Sequence, residues 1–127
     1  MLLFTAAHAQ NRRLCDSVYK NVDTLAEYAG GSQALIKFMN THIKDAINDC
    51  YHLDSTEITG MSISLTISAQ GKVLEAVFGD VELAPKCRER LRKRMLGMPT
   101  WTPGKLKGVR VCSIYAWLVG GVIWDNQ

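Results

Sequence analysis

The stretch Met61-Ser62-Ile63-Ser64-Leu65-Thr66-Ile67-Ser68-Ala69-Gln70-Gly71-Lys72-Val73 decides the fold. Met61, Ile63, Leu65 and Ile67 alternate with Ser62, Ser64, Thr66 and Ser68. A period of two with one polar side is the pattern of a strand that packs on one face and meets solvent on the other. Gln70-Gly71 predicts the turn, because glycine reaches positive φ at no steric cost. Val73 to Val81 predicts the returning strand, so the pair reads as a β-hairpin.

Upstream, Leu35, Phe38, Met39, Ile43, Ala46 and Ile47 recur at spacings of three and four, which predicts an amphipathic helix over Gln33–Ile47. Gly30-Gly31 precedes it and Ser32 stands at the N-cap position. Asn48 to Glu57 reads as a polar connection, and residues 10–30 show no clear periodicity. Downstream, Cys87, Leu91 and Met95 fall on one stripe of a second helix over Leu83–Gly97, whose other positions are basic: Lys86, Arg88, Arg90, Arg92, Lys93 and Arg94. Pro99 and Pro103 stop helical propagation. Gly104 to Gly108 reads as a flexible basic loop, and Val109–Val119 as a third, β-branched and aromatic strand. Gly120-Gly121 ends it. The expected fold is therefore α+β: a two-layer domain in the order α-β-β-α-β, with two helices on one face of a three-stranded antiparallel sheet. A strand order of 2-1-3 would make every neighbour antiparallel and leave the third strand at an edge.

The chain has 127 residues and a net charge of +3, which fits one domain. The charge is uneven: −2 through Gly71 and +5 from Lys72 onward. A basic second half favours acidic partners. The start, MLLFTAAHAQ, holds an apolar run and Ala7-His8-Ala9, the form of a signal-peptidase site. This gives a signal peptide over 1–9, an N-terminal extension over 10–30, a domain over 31–122 and a tail over 123–127, with export to the periplasm. A start codon further upstream would make the protein membrane-anchored. Cys15, Cys50, Cys87 and Cys112 allow three pairings as two disulfides, and the sequence leaves open which, if any, forms.

Chemistry finds little purchase. His8, His42 and His52 are the histidines, and Cys50-x-His52 lacks the second tight pair of a structural zinc site. No nucleophile elbow, phosphate-binding glycine loop or H-E-x-x-H is present. The expectation is no catalytic residue, no metal, no cofactor and no small-molecule substrate. The basic face Arg90, Arg92, Lys93 and Arg94 could meet nucleic acid or anionic lipid. No stacking aromatics interleave with it, so a nucleic-acid partner is not expected.

One further pattern bears on function. Gly30-Gly31-Ser32-Gln33-Ala34-Leu35, Gln70-Gly71-Lys72-Val73 and Met98-Pro99-Thr100-Trp101-Thr102-Pro103-Gly104-Lys105 follow one another at spacings that resemble the TonB C-terminal domain family. The resemblance covers roughly Val18 to Gly120. The chain departs from the family's pattern in carrying Tyr51-His52 for Tyr-Pro and Gln70-Gly71 for Asp-Gly. Its three prolines, Pro85, Pro99 and Pro103, form no proline-rich span, so it looks like a freestanding copy of the domain. Gly71, Trp101, Pro103 and Gly104 read as fold determinants. The resemblance implies a periplasmic protein-binding module of the energy-transducer kind, supporting transmembrane transport. Its partner would be an extended segment of a TonB-dependent outer-membrane receptor, paired with the last strand by β-augmentation. On this sequence the surface is Val109 to Val119, with Val109, Val111, Ser113, Tyr115 and Trp117 as the candidate contact residues. Either the set Val111, Ser113, Tyr115 and Trp117 or the set Cys112, Ile114, Ala116 and Leu118 must face away from the core, and exposed aromatics would mark the site. The alternative is a scaffold or homodimer whose edge strand is already occupied.

Overall fold

A computed structural model describes residues 15–51, 61–79 and 83–119, with the backbone alone at 47–51 and 119. The signal-peptide reading, His52, the end of the second strand at Asp80-Val81 and the tail lie outside the described residues. The Cys50 side chain does as well.

The elements run β1 (Val18–Tyr19), α1 (Gly31–Tyr51), β2 (Met61–Ile67), β3 (Val73–Gly79), α2 (Pro85–Leu96), β4 (Lys105–Leu106), β5 (Val109–Arg110) and β6 (Cys112–Val119). The class is α+β. The main sheet has four strands, not three, in the order β1-β6-β2-β3, and it is mixed. β6, β2 and β3 are antiparallel neighbours, whereas β1 runs parallel to β6. β4 and β5 form a separate two-stranded ribbon.

The alternation in β2 places Met61, Ile63, Leu65 and Ile67 in the core, all fully buried. Leu35, Met39, Ile43 and Ala46 from α1 and Cys87, Leu91 and Met95 from α2 join them there. α1 is longer than its sequence pattern at both ends: Ser32 lies inside the helix, and the polar residues after Ile47 continue it to Tyr51. A register shift between Thr66 and Ile67 sets Ile67 opposite Val73 and Thr66 opposite Glu75. This bulge lets Val73, Ala76 and Phe78 all face inward despite their uneven spacing.

The hairpin turn is built by a serine. Ser68 is fully buried, and its Oγ accepts the amides of Gln70 and Lys72 at 3.2 and 3.1 Å. Gly71 has φ +89°, and its carbonyl accepts the Trp101 amide at 2.8 Å. A Cβ at Gly71 would collide with the Trp101 carbonyl oxygen. Trp101 is 1% exposed, and its ring meets Tyr28 edge-on at 5.4 Å and Tyr115 at 5.0 Å. Gly104 is confined less severely: a Cβ there would sit 2.8 Å from Ser113 Oγ and 3.2 Å from the Thr24 carbonyl oxygen.

Burial pushes the Tyr28 hydroxyl above the usual tyrosine value. Its neutral form is favoured in the folded state, so its contribution to stability is full below about pH 10 and falls as pH rises further. Tyr28→Phe should remove that part of the alkaline loss, measured as the change in urea midpoint between pH 8 and pH 11.

Two regions read as featureless have defined structure. The described part of the N-terminal extension, residues 15–30, shows no period because its pairing is non-local. β1 pairs with β6, and Thr24 and Glu27 bridge to Lys105 and Thr102. Reciprocal backbone bonds of 2.8–3.1 Å fix these bridges. Gly104 to Gly108 is not a flexible loop but the start of the β4–β5 hairpin. Lys107 and Gly108 both take positive φ at its turn, and the Lys107 amide donates to Asp23 Oδ2 at 2.6 Å. The third strand read over Val109–Val119 is accordingly divided into β5 and β6.

Candidate protein-interaction edge

β6 is apolar except for Ser113, so its sequence does not reveal which side chains face the core. The register decides it. Ile63, Leu65 and Ile67 of the buried face stand opposite Trp117, Tyr115 and Ser113. Ser113 is buried, and Tyr115 and Trp117 pack partly buried against the core, their rings 5.4 Å apart. The outward set is Ile114, Ala116 and Leu118, opposite Thr66, Ser64 and Ser62. Leu118 is 64% exposed, and Val77 on β3 shares that face at 58%. This corrects the side-chain assignment made from sequence: the aromatics of β6 support the fold and do not face away from it. Val109 is exposed, but it belongs to the β4–β5 ribbon, and Val111 is a half-buried link.

The two rims of the main sheet differ. On the β3 rim, the Arg88 guanidinium of α2 donates to the Phe78 carbonyl at 2.7 Å. The Ala76 amide donates to Glu75 Oε1 at 3.1 Å, and the same carboxylate takes Arg92 Nε at 2.8 Å. Side chains thus cap the groups a new strand would need, a common way of closing a sheet edge. Arg88→Ala should leave the Phe78 carbonyl without its charged donor and cost about 1–2 kcal/mol. It should also make β3 the more adhesive rim, visible as concentration-dependent light scattering.

On the opposite rim, β1 covers only Cys112 and Ser113. After Tyr19 the chain leaves the sheet for its bridge at Lys105. Among the described residues no strand pairs with Ile114–Val119 on that side. A groove of about 500 Å³ runs beside it, lined by Lys20, Leu25, Ser64, Ile114, Tyr115 and Ala116. Leu25 is exposed at its lip. Lys20 carries no signal in the sequence, since only the fold brings it to β6.

The basic face of α2 is largely engaged internally. The hydrogen bond to Glu75, and then its charge, hold the proton of Arg92 more tightly than usual. Arg92 also lies 3.4 Å from Glu89. Arg94 Nη1 lies 3.1 Å from His42 Nδ1, whose ring stacks on Phe38. Lys86, Arg90 and Lys93 line a shallow depression on the outer side. The described residues contain no group of three or more histidine, cysteine or acidic side chains placed to hold a metal. None of their helices is long and apolar enough to cross a membrane.

The cysteines contribute a feature that the sequence left open. Cys15 and Cys112 form a disulfide with Cα atoms 5.6 Å apart, linking residues separated by 97 positions. Cys87 is disulfide-bonded too. Cys112 opens β6, so the first bridge anchors the segment beside the candidate edge. No known family model, no curated protein and no solved structure matches this chain.

Proposed function

We propose that the protein is an exported interaction module, similar in design to the TonB C-terminal domain, that binds an extended polypeptide segment along the outer rim of β6. The observation that carries this reading is the inequality of the two rims. The β3 rim is capped by Arg88 and by Glu75 with Arg92, whereas Ile114–Val119 has no strand partner on its outer side among the described residues. In β-augmentation the main chain supplies most of the affinity, and pockets for alternate side chains supply selectivity. The groove beside Ile114 and Ala116 would be such a pocket. The proposed setting is the periplasm, and the proposed partner is the N-terminal segment of an outer-membrane receptor.

Fluorescence anisotropy tests this with labelled extended peptides, including receptor N-terminal segments, and with copies carrying proline at alternate positions. A peptide that pairs by its backbone should lose roughly tenfold or more in affinity when a proline removes a ladder donor. If no extended peptide binds, or if every proline copy binds as well as its parent, the reading falls. Light scattering adds the competing outcome: a stable dimer joined through β6 would assign the rim to a second copy of the chain.

A further inference from the structure

The residues beside β6 are held in two ways. Residues 23–27 are anchored by backbone bonds to Lys105 and Thr102 and by the Asp23 carboxylate. Residues 15–21 have much less. Their strand pairing is the two-residue β1, whose Val18 and Tyr19 are 43% and 37% exposed, and their covalent tie is Cys15–Cys112. Cys15 is half-buried, whereas Cys112 is 3% exposed.

We propose that Cys15–Cys112 is a redox latch on the docking rim. In the oxidised protein it holds β1 against Cys112 and Ser113 and limits the open edge to Ile114–Val119. When it is reduced, residues 15–21 leave, hinging ahead of the Asp23 anchor, and Cys112 and Ser113 join the open edge. The reductant is a dithiol. One of its thiolates attacks the Sγ of Cys15, the more exposed of the two residues, and the S–S electron pair leaves on Cys112 Sγ, which takes a proton. The second thiol then attacks the mixed disulfide, releasing Cys15 as a thiol and leaving the dithiol as a disulfide. Two electrons and two protons pass to the protein. The role of the latch rests on the docking function proposed for β6.

The full chain carrying Cys15→Ser mimics the unlatched state without disturbing the disulfide of Cys87. Residue-resolved amide exchange should show the β1 residues, and the one amide of Cys112 and Ser113 that points to β1, exchanging roughly tenfold faster or more. Thr24, Glu27, Thr102, Lys105 and β2 should be unchanged. In wild type, mild dithiol treatment should raise tryptic cleavage after Lys20. An extended peptide long enough to reach Cys112 should bind the variant more tightly than the oxidised protein. Unchanged protection at Val18–Tyr19 would overturn the latch. So would loss of protection across β2, or failure of both Cys15→Ser and Cys112→Ala to fold, because the bridge would then be a staple for the whole domain. If exchange behaves as expected but neither protein binds any extended peptide, the docking function falls, and the latch has no role to regulate.

Discussion

Trp101→Ala should destabilise the protein by about 3–5 kcal/mol, the range for truncating a large buried aromatic. A domain of this size has a total stability of roughly 5–15 kcal/mol, so the variant should be largely unfolded in mild denaturant. The reason is position as much as size. The indole sits between Tyr28 from the N-terminal segment and Tyr115 from β6, while its backbone amide is bonded to the Gly71 carbonyl of the hairpin turn. One residue thus joins three parts of the chain that are distant in sequence. Trp101 Nε1 is buried without a hydrogen-bond partner among the described residues. Trp101→Phe fills most of the space and removes that orphaned donor, so it should cost much less than the alanine variant. Urea unfolding followed by circular dichroism checks both variants. Equal losses for Phe and Ala would show that the ring's bulk is not what matters.

Gly71→Ala should cost about 2–4 kcal/mol, combining strain at positive φ with a forced separation from the Trp101 carbonyl. Gly108→Ala is the internal control. Gly108 also has positive φ, but a Cβ there would meet none of the described residues within 4 Å, so the backbone strain remains, about 1 kcal/mol. The difference between the two variants isolates the contact of the hairpin turn with the segment after α2. Because Gly71 and Trp101 touch, their effects should not add: the double variant should lose less than the sum of the singles. Additive losses in the double-mutant cycle would contradict the packing described here.

The parts of this fold that were legible in sequence are those fixed locally. The serine alternation of β2 and the three- and four-residue spacing of α1 each imply one buried face, and the core is made of those residues. What was not legible depends on partners far away in the chain. A two-residue strand such as Val18–Tyr19 has no period to detect, and it is defined by pairing with residues 112 and 113. The β4–β5 ribbon hides behind glycines and lysines that also suit a loop; Lys107 at positive φ is the uncommon conformer that makes it a turn. The outward face of β6 could not be chosen from sequence, because Cys112 to Val119 carries no polar stripe and the register with β2 alone orients it. The difference between the two rims was further still from reach, since it rests on where the Arg88 and Glu75 side chains point.

The function proposed here turns on whether Ile114–Val119 accepts a guest strand. Amide exchange measured residue by residue on the oxidised protein, free and saturated with an extended peptide, addresses that directly. Binding should slow alternate amides within Ile114–Val119 by roughly tenfold or more, while Val73–Gly79 keeps its free-state rates. Protection appearing along β3 instead, or an outer β6 rim already slow to exchange in the peptide-free monomer, would contradict it.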